Sequence, residues 1–276
     1  MLSTQRHRQD TPTALSARGG MTAGRYLRTL RRETATELLK SVRIPIFAVS
    51  TIAFPVMFYV IFGATFGRQG AGPINVATYM LATYGAFGVI GSALFSFGVG
   101  LAVERAQGWM RLKRASPMPA SVTVLAKLAT ALVFAAAVVA ALMLAGITVG
   151  DARLSPGTAA ALMGVLLLGA LPFCVLGQAF GYSLGPNSAP VVVNLVYIPM
   201  SFASGLWIPI EQLPAFLQTI APYLPAYHLG QLALSVFGAH ARGDPIGHAL
   251  ALLLTALVAG VAAAIAYRRS SLATYG

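Results

Sequence analysis

The stretch most able to carry catalysis is Gly181-Tyr182-Ser183-Leu184-Gly185, a match to G-x-S-x-G. In a hydrolase that pattern sets a serine on a sharp strand-to-helix turn, where a histidine can take its proton. Asp244 and His248 follow in the chain order such a triad uses. Three histidines, His228, His240 and His248, gather near the C-terminal end with spacings of 12 and 8. Those spacings fit no zinc template, and interfacial polar residues are the plainer account. Phosphate chemistry by a Walker A loop needs Gly-Lys followed by Ser or Thr. The lysines are Lys40, Lys113 and Lys127, and none follows a glycine. Cys174 is the single cysteine, which excludes an intrachain disulfide and a thiolate metal cluster.

The elements that must position these residues are set by composition. Of 276 residues only 9% are charged, against about 25% in a soluble domain. The apolar share is 57% and the mean hydropathy +0.74. So few charges could not cover a water-soluble surface, and so apolar a chain is not disordered. A polytopic membrane protein remains. The net charge of +12 would suggest nucleic acid in a soluble chain; here its placement decides. The first 43 residues are polar and basic, without the apolar core of a signal peptide, and the Arg31-Arg32 pair precedes an apolar run too long for one.

A spanning helix needs about 20 apolar residues. The charge-free intervals yield six: about 44–66, 76–103, 122–149, 158–183, 189–208 and 246–267. The fourth and fifth are split by the turn Gly185-Pro186-Asn187-Ser188. The interval 212–241 is cut by Pro214, Pro222 and Pro225, and its longest apolar piece is too short to cross. The segment 209–240 therefore reads as re-entrant or interfacial, made of two short helices dipping into the outer leaflet; a lipid-packed loop without function is the alternative.

With six spans both termini share one side. That side collects 16 basic residues against Asp10, Glu33, Glu37 and Glu104, while the other holds Arg68, Arg153 and Arg242 against Asp151, Glu211 and Asp244. The positive-inside rule makes the basic side cytoplasmic. The charge excess is thus topogenic, and no nucleic-acid partner is expected. The same topology puts Ser183 near one face and Asp244 and His248 near the other, with about 30 Å of hydrocarbon between them. As G-x-x-x-G spacings, Gly181/Gly185, Gly63/Gly67 and Gly146/Gly150 are better read as close helix packing. Ion-coupled transport would use buried carboxylates. Within the spans the lone candidate charge is Lys127, at the start of span three, where it can snorkel. Energy for pumping would come from another polypeptide.

Residues 1–23 read as a disordered cytoplasmic tail and 24–43 as an amphipathic interfacial helix with Tyr26, Leu27, Leu30 and Leu38 on its apolar face; a solvated basic linker is the alternative. In 104–121 the helix of span two continues to about Gly108, turns, and gives a short second helix over 109–115. There Trp109 and Met110 offer apolar anchors, and Arg111, Lys113 and Arg114 charge, for a soluble partner. A positive-inside loop with an interfacial Trp is the bland reading.

Two local patterns resemble the ABC-2 type transporter permease family, of the drug- and polyketide-resistance or lipid-export kind. Glu104-Arg105, Gly108, the following basic residues and Ala115-Ser116-Pro117-Met118-Pro119 resemble its "ER…G…L…SPxP" cytoplasmic turn. Trp109 departs from the small hydroxyl residue often found there. Ser204-Gly205-Leu206-Trp207-Ile208-Pro209-Ile210-Glu211-Gln212-Leu213-Pro214 with Leu224-Pro225-Ala226-Tyr227 resembles the "SG..FP…LP…LP..Y" signature. The resemblance runs from about residue 25 to the end.

The resemblance implies an all-α membrane protein: an amphipathic helix, a permease domain over 44–276 with six transmembrane helices, and a re-entrant outer segment before the last span. It implies a subunit of an ATP-driven exporter of hydrophobic or amphipathic molecules in the plasma membrane. Two copies of a separate ATPase would carry ATP and Mg, this chain binding no cofactor itself, and a second permease half would complete a homo- or heterodimer. Glu104, Arg105, Gly108, Trp109, Met110, Arg111 and Pro117 would couple to the ATPase, and Pro209, Leu213, Pro214, Pro225 and Tyr227 would form the external gate. A stand-alone channel or secondary carrier, and an intramembrane enzyme built on Ser183, are the competing readings.

Overall fold

The computed structural model describes residues 22–43, 45–67, 70–71, 74–115, 118–150, 152, 154–238 and 242–272. The tail expected to be disordered lies outside these residues, but for Thr22 and Ala23. Apart from a small antiparallel pair, β1 (Gly70–Ala71) and β2 (Ile74–Asn75), the described chain is helical. In order come α1 (Ala23–Val42), α2 (Pro45–Phe66), α3 (Val76–Leu94), α4 (Gly100–Ala106), α5 (Trp109–Ala115) and α6 (Ala120–Thr148). Then follow α7 (Pro156–Gly169), α8 (Leu171–Ser183), α9 (Ser188–Ala203), α10 (Ala215–Ile220), α11 (Pro225–Ser235) and α12 (Pro245–Leu272).

Among the described residues, four helical stretches are long and apolar enough to cross a membrane: Val76–Ala106, Ala120–Thr148, Pro156–Ser183 and Pro245–Ser270. The pieces Thr51–Gly63, inside α2, and Ser188–Ala203 are apolar but shorter. The chain is an all-α, multi-pass membrane protein. Its helix starts follow local chemistry. Asn75 caps α3 by accepting a hydrogen bond from the Thr78 amide at 2.9 Å, and Ser155 caps α7 through the Thr158 amide ahead of Pro156. Between α7 and α8 the helix is interrupted at Ala170, two residues before Pro172, which has no amide to donate.

α3 forms the axis of the bundle. Every residue from Ala77 to Leu94 is buried, as expected of a helix apolar all round. α2, α6, α8 and α11 pack around it. Below it the helix loosens into a π turn, Phe95–Val99, before resuming as α4. Glycines let α8 approach this turn. A Cβ on Gly177 would sit 2.9 Å from Phe97 Cβ, and one on Gly181 2.8 Å from Leu101 Cβ. The close-packing pair is thus Gly177/Gly181. Gly185, assigned to that role in the sequence reading, meets only the Ser188 hydroxyl at 3.7 Å. Gly146 and Gly150 do make a close approach, to the buried ring of Tyr59.

Side-chain bonds sort the helix ends. Arg105 Nη1 donates to the Gly181 carbonyl at 2.7 Å, and Tyr182 packs edge-on against Tyr267 at 5.2 Å between ring centroids. Tyr26 of α1 bonds Ser121 of α6. One end of the bundle therefore gathers α1, the end of α4, α5, the start of α6 and the ends of α8 and α12. At the opposite end α11 packs on the start of α12, where His228 meets His248.

Candidate functional site

The end that carries α1 and α5 is organised by charge. Glu37 lies on the face of α1 turned to α6 and is buried although surrounded by an otherwise exposed helix. Its Oε2 accepts from Lys40 at 2.7 Å and from Lys127 at 3.4 Å, and its Oε1 accepts from Lys113 at 3.0 Å. Glu104, at the end of the second long stretch, accepts from Lys127 at 2.8 Å and from Lys40. Lys113 also reaches Glu33 at 2.8 Å. Three carboxylates and three ammonium groups thus join α1, α4, α5 and α6, and the three lysines are all the lysines in the chain. Lysine suits the role, because a flexible stem with three donors can serve carboxylates on two helices at once.

The pairing decides the ionisation. Burial pushes the Glu37 carboxyl upward, but Lys127, Lys40 and Lys113 outweigh it and hold the group down at about 2. Burial alone would favour a neutral Lys40; Glu104 and Glu37 more than reverse this and raise its pKa. Glu33, with Glu37 and Glu104, does the same for Lys113. Glu37, Lys40 and Lys113 are therefore charged at neutral pH.

This changes the reading of two residues. Lys127 does not snorkel: its side chain is 8% exposed and its ammonium is spent on Glu104 and Glu37. Glu104 is buried as well, with one oxygen, Oε2, unpartnered among the described residues. It ties α1 to α6 through Lys40 and Lys127, whereas α5 carries exposed apolar side chains. There Trp109 is 52% and Leu112 67% exposed, and the indole of Trp109 donates to Gln107 Oε1 at 3.1 Å. Met110 is half-buried; Arg111 lies on α5, while Pro117 falls outside the described residues. The turn into α5 uses Gly108 at φ 78°, which favours glycine. Arg105 points the other way, to Gly181 on α8. Lys113 links α5 to α1, and Lys40 and Lys127 link α1 to α4 and α6.

On α1, Tyr26, Leu30 and Leu38 are half-buried on the packed face, whereas Leu27 is exposed. The centre of that face is a carboxylate rather than an apolar stripe. The signal was present in the sequence: Glu33 and Glu37 at i, i+4 share one helix face, and three lysines lie in the segments that meet it. Nothing local revealed which ends would meet.

At the opposite end, residues 209–238 fold into α10, α11 and two 3-10 turns, Ile210–Gln212 and Ala221–Tyr223. Leu213 and Tyr227 are buried together with Ile210 and Ala221; Pro209 precedes the first turn, and Pro214 and Pro225 open α10 and α11. His228 Nε2 lies 3.0 Å from the Pro222 carbonyl and can only donate there. Its Nδ1 then accepts from His248 Nδ1 at 2.8 Å. His240 falls outside the described residues. The hydrolase reading fails on distance. Ser183 lines a crevice with Ser270 of α12, whereas His248 lies 22 residues earlier on the same helix, about 33 Å away at 1.5 Å per residue.

Residues 30–237 match the family described as ABC-2 type transporter. The chain is also 26% identical over 204 residues to a protein of Bacillus subtilis (strain 168) named "Putative transport permease YvfS", across 74% of this chain and 83% of that protein. The family match begins within α1 and ends just past α11. It takes in the ion network, α5 and the short helices at the far end.

Proposed function

We propose, from the premise that this chain belongs to the ABC-2 type transporter family, that it is the permease subunit of an ATP-driven exporter of hydrophobic or amphipathic molecules. The observation that carries the coupling role is α5: a short helix with Trp109 and Leu112 exposed, ion-paired through Lys113 to α1. Such an element can receive a push from a soluble partner and pass it to the bundle. The family implies an ABC system with an ATPase, and this chain's three lysines are engaged with carboxylates rather than placed to cradle phosphates.

In this reading α2 and α9 complete six spans, and the basic end faces the cytoplasm, so both termini are cytoplasmic in the plasma membrane. A second permease half pairs with this one, and two ATPase copies bind ATP and Mg below them. Glu104 and Arg105 act as positioning residues for α5, with Gly108, Trp109, Met110, Arg111 and Pro117 forming the docking turn. Residues 209–240 re-enter the outer leaflet as an external gate built on Pro209, Leu213, Pro214, Pro225 and Tyr227. Drug or polyketide efflux with antibiotic resistance, or lipid export, is the expected cargo class. The test is reconstitution in proteoliposomes with and without an ABC ATPase that co-purifies with the chain. ATP-dependent expulsion of amphipathic dyes supports the exporter. Equal flux without ATPase would instead mark a channel or secondary carrier.

A further inference from the structure

The ends of α8 and α12 do not close on each other. A Cβ on Gly260 would meet Val175 at 3.8 Å, and Tyr182 packs on Tyr267, but beyond them the helices leave a crevice of ≈ 550 Å³. Its lining grades by chemistry along α12: Ala262, Ile265 and Ala266, with Ile265 48% exposed, lead at helical spacing to Arg269 and Ser270 on the same face, and Arg105, Tyr182 and Ser183 line it from α4 and α8. None of these lining residues is acidic. Glu104, next in sequence to Arg105, is committed to Lys127 and Lys40 on the far side of α4. Neither arginine has a carboxylate partner among the described residues. Arg105 spends Nη1 on Gly181, and a guanidinium carries five N–H donors in all.

Two arginines with no carboxylate partner among the described residues, at the helix ends and beside an apolar stretch, match the two parts of one ligand. A phosphoryl group suits the planar donor forks. An acyl chain suits Ala262 and Ile265. Basic clefts between helices at headgroup depth take anionic lipids for these reasons. We infer that the crevice between α8 and α12 is a binding site for the phosphate of an anionic phospholipid from the leaflet on the basic side, with Arg105 and Arg269 as its phosphate ligands. Headgroup depth on that side rests on the topology proposed above. The G-x-S-x-G serine, which serves no catalysis, becomes a rim hydroxyl of this site.

The test uses the purified full chain, delipidated in mild detergent and titrated with phosphatidylglycerol or phosphatidylcholine, with retained lipid counted by native mass spectrometry. Phosphatidylglycerol is retained in preference. Arg105→Gln and Arg269→Gln each weaken it about five-fold, near the worth of one basic residue at an anionic surface. Arg269 is exposed, so its variant keeps the fold, which an unchanged thermal midpoint without lipid verifies. Equal retention of the two lipids, or retention unaffected by both substitutions, overturns the site. Displacement by millimolar inorganic phosphate would show that a free anion is the occupant and overturn the lipid. Binding needs no ATPase, so failure of the exporter reading leaves this result intact. A cysteine placed by Ser270→Cys and labelled only from outside the cell would sink the topology instead.

Discussion

Lys127 Nζ lies 2.8 Å from Glu104 Oε1, a bond that joins the end of one membrane-crossing stretch to the start of the next. Both side chains are nearly sequestered, at 8% and 6% exposure. Removing one partner leaves the other a single counter-charge, Glu37 for Lys127 and Lys40 for Glu104, so the cost should stay below the about 3–5 kcal/mol of a fully orphaned buried charge. Lys127→Met and Glu104→Gln are each expected to lower the unfolding midpoint in detergent. The double variant should recover part of the loss. Strict additivity in that cycle would show that the two residues do not act on each other.

The network also predicts an acid limit. Glu37 has a carboxyl held at about 2 against an ordinary 4.5. A depressed carboxylate contributes stability that is full above the ordinary value and is lost as pH falls through the folded one. Docking of α1 should therefore hold at neutral pH and weaken progressively from about 4.5 towards 2. A spin label at Thr36→Cys reports this, since the native Cys174 is buried. Glu37→Gln should show raised label mobility already at pH 7.

Glycine packing between α8 and the π turn makes a prediction with its own control. Gly181→Ala places a methyl against Leu101 and the Phe97 carbonyl and should cost about 1–3 kcal/mol by overpacking. Gly164→Ala, in α7, meets nothing within 4 Å and should be neutral or stabilising by up to about 1 kcal/mol. Thermal unfolding of the two variants should move in different directions. Equal shifts would contradict the close approach of α8.

Docking through α5 separates binding from folding. Trp109 and Leu112 are exposed, so their alanine variants should leave stability within about 0.5 kcal/mol. Loss of an apolar anchor at a protein interface costs about 2 kcal/mol or more. Trp109→Ala and Leu112→Ala should therefore weaken co-purification of the ATPase at least several-fold and lower its permease-dependent hydrolysis. Unchanged association in the double variant would move the docking surface elsewhere.

Much of this was decided by composition. A chain with 9% charged residues must place its long apolar runs in lipid, and the four long stretches fall where those runs lie. Asn75, Ser155 and Pro225 open their helices within one turn of their own backbone, a local matter that the charge-free intervals do not mark. The turn at Gly108 followed by a helix from Trp109 was legible too, because a left-handed residue between two helical runs is a local matter. The site was legible only as a list. Glu37 and Lys127 are 90 positions apart, and no local pattern states that a carboxylate on α1 will meet an ammonium at the start of α6. Lys127 looked free to reach water because that reading weighed its cost in lipid without knowing its partners. The Gly177/Gly181 approach was hidden similarly, since spacing marks a small face without saying which neighbour comes close. The sequence by itself determined the phase in which the chain folds and where its long apolar runs lie, both of which depend on solvation. Which charges neutralise one another, which glycines meet a backbone and where two arginines lack a carboxylate partner among the described residues were decided only when the helices packed. Those outcomes depend on distances between residues far apart in the chain.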